Sequence, residues 1–276
     1  MRGTLFYKMT GSGNDFVVLD GRASTPDRWP PARVRAICDR RNGVGADGLV
    51  ILTPATPGAV RMSYWNSDGS HGAMCGNAAL CSARLSVDLE MVPAGEFSLL
   101  TDAGMVRINS RAHTDEAEIN LPDADLPRDM PNLRQAPGEH WLSLGAVGVP
   151  HLVVRVEDIE AVDVLGRGRT LRSDARVGPG GSNVNFISPQ ANPRAPWLIR
   201  TFERGVEGET LACGTGTVAA ALALAARHEA DLPLSFRSRG GPELAVRARL
   251  VGPRAVDVWL AGQGRLLFRG VWEGGP

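Results

Sequence analysis

The same pattern occurs twice in this chain. In "MSYWNSDGSHGAMCGNAALCSARL" a short apolar strand runs into polar residues, then Cys75-Gly76, then a helical stretch to about Val87. In "IRTFERGVEGETLACGTGTVAAALAL" the same order leads to Cys213-Gly214 and a second helix. The two cysteines lie 138 residues apart, half of the 276-residue chain. Flanking pieces keep the spacing. "GSGNDFVVLD" precedes the first cysteine as "GVPHLVVRV" precedes the second, which sets His151 in the slot of Asn14. "RNGVGADGLVIL" and "GPGGSNVNFIS" are both Gly-rich turns entering apolar strands. Asn66 and Arg204 each stand nine residues before their cysteine. A period this long means two copies of one domain rather than a solenoid.

The stretch after Cys213 is rich in Ala and Leu and apolar nearly all round, so it reads as a helix that belongs inside a core. "MVRINSRAHTDEAEINL" and "AVRARLVGPRAVDVWLAG" alternate as hairpin strands do. The expected fold is of the α+β class, with α and β mixed. It has two pseudo-symmetric domains, each a largely antiparallel sheet wrapped round a central buried helix, with the active site in the cleft between them. The first domain is expected over 1–120, with 263–276 returning to it, and the second over 121–262. The Pro-rich stretch 121–139 reads as loop near the junction.

Composition removes several classes of function. Formal net charge is zero, so nothing points to nucleic acid or an anionic membrane. No apolar run approaches the roughly 18 residues of a membrane span, and the first residues lack the apolar core of a signal peptide. Four scattered cysteines do not make a disulfide scaffold, and a reducing cytoplasm is the simplest compartment. Lys8, in the strand-like "TLFYKM", is the single lysine, which argues against pyridoxal phosphate and other lysine-bound cofactors. "GVGADG" (43–48) follows a helix and enters a strand, the reverse of a dinucleotide fingerprint. Cys75, Cys81 and His71 lack zinc-ligand spacing, so no metal is expected. Cys38 and Cys81 read as packing residues.

Cys75 and Cys213 each stand just before a helix, where unpaired backbone N–H groups bind anions and favour a thiolate. Cys213 also reads as a small buried hydrophobe, and the stretch alone leaves both readings open. With the halves facing each other, a carboxylate would meet N–H groups from Gly76-Asn77 and Gly214-Thr215. The adjacent carbon would then lie between two sulfurs. A thiolate and a thiol of matched pKa would invert that carbon, one removing a proton and the other returning one. Glu203 and Arg204, at the end of a strand, suit the amine and carboxylate of an amino acid.

The chain resembles the diaminopimelate epimerase family over essentially its whole length. The resemblance rests on "TGSGNDFVVLD", "RNGVGADGL", "NSDGSHGAMCGNA", "GSNVNF" and "ERGVEGETLACGTGT". It implies a cofactor-independent isomerase of lysine and peptidoglycan precursor biosynthesis that converts the LL isomer to the meso isomer. It implies Cys75 and Cys213 as acid/base residues, and Asn14, Asn66, Asn183, Glu203 and Arg204 as substrate-binding residues. Gly76, Asn77, Gly214 and Thr215 would donate backbone N–H groups to the reacting carboxylate. Glu203 and Arg204 would read the distal, non-reacting centre, with His151 beside the reacting one. No cofactor is implied; the partner is a small amino acid, and a homodimer is the assembly considered.

Two departures stand out. The family's "GNPH" is "GVPH" here, so Val149 replaces an asparagine that contacts the distal carboxylate. The family's "MCGNGxRC" is "MCGNAALC", so Ala78 and Leu80 replace Gly and Arg. The rival readings are a related cofactor-free racemase of another amino acid, and a thiol redox or anion-binding protein whose cysteines cycle through a disulfide.

Overall fold

A computed structural model describes residues 3–112 and 114–274. The chain divides into two compact units, Met1–Asn120 with Ala261–Pro276, and Leu121–Leu260.

In the first unit the elements are β1 (Thr4–Gly11), β2 (Asn14–Asp20), α1 (Pro31–Cys38), β3 (Gly48–Pro54), β4 (Ala59–Asn66), β5 (His71–Gly72), α2 (Gly76–Asp88), β6 (Gly95–Thr101), β7 (Gly104–Ser110) and β8 (Glu116–Leu121). The second unit continues with β9 (Ala124–Asp125), β10 (Arg128–Asp129), β11 (Glu139–Val147), β12 (Val149–Val156), α3 (Val164–Arg172), β13 (Asn183–Ser188), β14 (Trp197–Glu203), β15 (Gly208–Thr210), α4 (Gly214–Ala226), β16 (Leu234–Ser238) and β17 (Glu243–Val251). The long strand β18 (Arg254–Trp272) begins in the second unit and ends in the first.

The strands of the first unit close into a barrel. β1 pairs antiparallel with β18 over Thr4–Gly11 and with β2. β2–β3 and β4–β6 are parallel, and β3–β4, β6–β7 and β7–β8 are antiparallel. β8 returns to β18, where the Gly264 N–H donates to the Asp115 carbonyl at 2.8 Å. The two parallel contacts need crossovers, and the helices supply them. α1 packs outside, with Val34 and Ile37 in a cluster with Val17, Leu19, Leu49 and Ile51. α2 packs against β1, β2, β3, β4 and β7 from within. β2 is thus covered on both faces, which is why Phe16, Val17, Val18 and Leu19 form an unbroken apolar run.

The second unit repeats this plan. β11–β12 is antiparallel, β12–β13 parallel, β13–β14 antiparallel, β14–β16 parallel and β16–β17 antiparallel. α3 packs outside, with Val164 and Leu171 on Leu152, Val154, Val184 and Phe186. α4 lies inside against β11, β12, β13 and β17, and every residue from Gly216 to Ala225 is buried. Each unit is therefore a largely antiparallel sheet round a central helix, as the apolar composition of α4 demands.

The strand registers correct two details of the sequence alignment between halves. Phe16 faces Gly48 across β2–β3, and His151 faces Asn183 across β12–β13. His151 therefore matches Phe16, and Val149 matches Asn14. Likewise Asn66 ends β4 as Glu203 ends β14, so Asn66 matches Glu203 rather than Arg204. The loop from strand end to cysteine is one residue longer in the second half, and Val149 stands three residues further from its cysteine than Asn14 does, which hid the true register.

Among the described residues no helix is long and apolar enough to cross a membrane. Ala78 and Leu80, the departures on α2, are both fully buried. A β-carbon on Gly264 would lie 2.4 Å from the Leu80 carbonyl oxygen, so β18 approaches this helix too closely for any side chain. Leu80→Ala leaves a hole in a site with little room to collapse. It should cost about 2–5 kcal/mol, read as a lower urea midpoint at unchanged slope.

Candidate active site

Both central helices begin at a cysteine. Cys75 caps α2 with φ −141° and ψ 122°, and Cys213 caps α4 with φ −134° and ψ 107°. Neither is a usual capping residue, so the first-turn N–H groups are not covered by a Ser or Asp oxygen. All four cysteines are free thiols.

In the first unit, Cys75 is half-buried and adjoins a set of amides. The Asn77 side chain donates to Asn14 Oδ1 at 2.7 Å, and Asn14 Nδ2 donates to Asp47 at 2.9 Å. Arg40 bridges Asp47 and Asp15, and Lys8 is ion-paired with Asp15 and donates to the Gly45 carbonyl. Burial pushes the Asp15 carboxyl up, but Arg40 and Lys8 outweigh it and hold it at about 2. The single lysine thus neutralises a partly buried carboxylate. Tyr64 donates to Asn66 Oδ1 at 2.7 Å, and Asn66 donates to Ser70 Oγ at 2.9 Å. Burial raises the Tyr64 phenol, and Cys75 raises it further.

In the second unit, Cys213 is 9% exposed. His151 is completely buried on the face of β12 that looks at α4, and its Nε2 lies 3.0 Å from Thr215 Oγ1. Thr215 Oγ1 in turn is 3.8 Å from Cys213 Sγ. Asn183 accepts the Arg204 backbone N–H at 2.8 Å. The Arg204 guanidinium contacts the Gly180 and Gly181 carbonyls at 3.3 Å. Burial and then Arg204 push the His151 imidazole down to about 4, so it is neutral near pH 7.

The expected low thiol pKa is not found at Cys213. Burial, and then Glu203, push it up to about 11. The backbone N–H groups of Thr215 and Gly216 and the Thr215 hydroxyl pull the other way but do not win. A helix terminus contributes about 0.3–1 kcal/mol, less than the cost of an ion in a dry site next to a carboxylate. The amides that reach the sulfur itself are those of Thr215 and Gly216.

Each unit thus gathers its own share of the anticipated residues. The first holds Asn14, Asn66, Cys75, Gly76 and Asn77. The second holds His151, Asn183, Glu203, Arg204, Cys213, Gly214 and Thr215. Sequence reasoning passed over Asp47, Tyr64, Asn185 and Thr201. Asn185 had a signal, since strand alternation in "NVNF" puts it on the same face as Asn183.

Two sheets, each wrapped round a buried helix, form a known architecture. It is shared with a phenazine biosynthesis protein of the PhzF family from Bacillus anthracis (TM-score 0.71, 13% identity, 98% of this chain and 99% of that one). It is also shared with a hydroxyproline epimerase from Agrobacterium vitis (TM-score 0.64, 18% identity, 100% and 94%). These likenesses define the fold. Sequence then narrows the class: residues 6–125 and 144–249 match the profile named Diaminopimelate epimerase. A diaminopimelate epimerase from Gemmatimonas aurantiaca is 44% identical over 96% of this chain and 98% of its own length. The chain belongs to the diaminopimelate epimerase family.

The neutral His151 has a consequence for stability. Its folded pKa, about 4, lies below the ordinary 6.5, so the unfolded chain takes up its proton first as pH falls. Its contribution is present above about pH 6.5 and is lost progressively toward pH 4, at up to about 1.4 kcal/mol per pH unit. Urea unfolding at several pH values across this range should show the loss, and His151→Gln should flatten it. An unchanged slope in the variant counts against a neutral buried imidazole.

Proposed function

We propose that this protein is a diaminopimelate epimerase, converting the LL isomer to the meso isomer without a cofactor through Cys75 and Cys213. The observation that carries the reading is the equivalent placement of the two cysteines, each the N-cap of the buried helix of its unit. Membership of the family supports the substrate. Reduced thiols are essential to this chemistry, which suits a reducing cytoplasm.

The chemistry follows from the groups present. One sulfur, as thiolate, takes the α-proton, and the electron pair of the C–H bond moves onto the α-carboxylate. Backbone N–H groups of Gly76, Asn77, Gly214 and Thr215 stabilise that charge, as an oxyanion hole does. The other sulfur, as thiol, delivers its proton to the opposite face of the carbon. Thiol and thiolate have then exchanged places, and no net proton is gained or lost. Burial and Glu203 disfavour the Cys213 thiolate and keep that sulfur protonated near pH 7. This suits Cys213 to the role of acid in one direction of the reaction. Asn14, Asn66 and Asn183 orient the substrate amine and carboxylate groups, and Glu203 and Arg204 bind the amine and carboxylate of the distal centre.

Val149 favours a second reading, a racemase of another amino acid. It stands where the family has an asparagine and, by strand register, where the first unit has Asn14. Loss of one hydrogen bond to a charged group costs about 1–3 kcal/mol of binding. Under the first reading Val149→Asn should lower KM for diaminopimelate or leave it unchanged. Under the second it should create diaminopimelate activity where none exists.

The test is incubation of reduced protein with LL-diaminopimelate in D2O. The expected result is α-deuterium incorporation with formation of the meso isomer, reduced by at least about 10²–10⁴-fold in Cys75→Ala and in Cys213→Ala. Folded, reduced protein that exchanges no α-proton overturns the assignment. A redox protein would instead need its cysteines to cycle through a disulfide during turnover.

A further inference from the structure

The two cysteines stand in matching places, but the side chains behind them do not match. Behind Cys213 runs a buried polar chain. Thr201 Oγ1 donates to Asn185 Oδ1 at 3.0 Å. Asn185 Nδ2 lies 3.3 Å from the Leu152 carbonyl oxygen and 3.3 Å from His151 Nδ1. His151 Nε2 meets Thr215 Oγ1, which meets Cys213 Sγ. Asn185 and His151 are both 0% exposed, and Thr201 is buried.

From the Leu152 carbonyl to Thr215 Oγ1 this chain has one consistent set of hydrogens for a neutral His151. A carbonyl only accepts, so the Leu152 oxygen fixes which end of the Asn185 amide is NH2. That amide has two hydrogens, and the second points at His151 Nδ1. A neutral imidazole carries one N–H, so Nδ1 accepts and Nε2 holds the proton. Nε2 then donates to Thr215 Oγ1. The Thr215 hydroxyl hydrogen then remains available to Cys213 Sγ when that sulfur is a thiolate.

The first unit supplies a built-in comparison. By strand register His151 matches Phe16, Asn185 matches Val50, and Thr201 matches Tyr64. Phe16 and Tyr64 meet edge to face, with ring centroids 6.2 Å apart. The polar chain behind Cys213 is replaced there by two apolar side chains and a phenol that turns to Asn66 instead. A residue needed only to fill space at this layer of the barrel is satisfied by Val50. Asn185 is buried with its donors and acceptor all used, and burying such a group is favourable only when every bond is made.

We propose that Asn185 is a positioning residue, which holds His151 as the Nε2–H tautomer and so directs the Thr215 hydroxyl hydrogen onto Cys213 Sγ. The relay stabilises the Cys213 thiolate as it forms, opposing the effect of burial and of the Glu203 carboxylate, while Arg204 acts on His151 from the same unit. The consequence for turnover rests on the epimerase reading, but the hydrogen-bond assignment does not.

The test begins with 15N-labelled full-length protein, without substrate, at neutral pH. The His151 ring signals, identified by their loss in His151→Gln, should show a protonated Nε2 and an unprotonated Nδ1. A protonated Nδ1, or an averaged pair, overturns the proposal. In Asn185→Leu the ring should become a mixture of tautomers; a retained pure Nε2–H form removes Asn185 from the role. Asn185→Leu is a core change, so a second variant pair guards against misfolding. A small thiosulfonate reagent with peptide mass spectrometry reads the two thiols separately at mildly alkaline pH. Thr215→Val should slow modification of Cys213 several-fold, Thr215→Ser should restore it, and Cys75 should be unaffected in both. Equal Cys213 reactivity in Thr215→Val and wild type overturns the final link. Should α-proton exchange fail while these results hold, the epimerase reading falls and the relay stands. Should exchange succeed with the wrong tautomer, the reverse applies.

Discussion

Everything in this molecule depends on enclosing two apolar helices. α4 has no polar face, and its residues from Gly216 to Ala225 are all buried. A helix of that composition is stable only when apolar surface surrounds it, so the strands must curve round it. Once enclosed, its N-terminus has one position and one direction. Cys213 is located by the packing of Ala and Leu further along the helix, and Cys75 by Leu80, Leu85 and their neighbours on α2. The reactive groups are thus held by the least reactive part of the chain.

Duplication gives two equivalent thiols, and divergence makes them unequal. Asn14 engages Asp47 and Asn77, while its counterpart Val149 is aliphatic. Asn66 ends one strand and Glu203 the other. Cys213 is buried with a carboxylate acting on it, whereas Cys75 is half-exposed with a phenol nearby. Two thiols of the same residue type differ only through their surroundings, so the divergence of the side chains around each is what makes the two sulfurs unequal.

The repeat, the buried helices and the placement of both cysteines were legible in the sequence, because each is written in periodicity and in residues adjacent along the chain. The antiparallel hairpins were legible for the same reason. The register between halves was not. A one-residue difference before the cysteine displaced Asn66 onto Arg204, and only the cross-strand pairing of Gly48 with Asn66 shows the match to Glu203. The thiol chemistry of Cys213 was half legible. The helix terminus can be read from "ACGTGT", but the desolvation that outweighs it comes from strands far away in sequence. Asp47, Asn185 and Thr201 escaped notice because their partners lie 16 to 34 residues distant, and a single buried amide looks like any other polar residue in a strand.

The strand β18 has a consequence for the order in which the chain is made. Its last part, from Gly264 to Trp272, lies against β1 and closes the first barrel. The second unit, Leu121–Leu260, is complete before those residues exist. During synthesis the amino-terminal barrel therefore waits, with one side open and its β1 edge unpaired, while the barrel encoded after it has every strand it needs. The half of the molecule that leaves the ribosome first is the half that finishes last. Until then its open seam is the place where the nascent chain is vulnerable to wrong pairing.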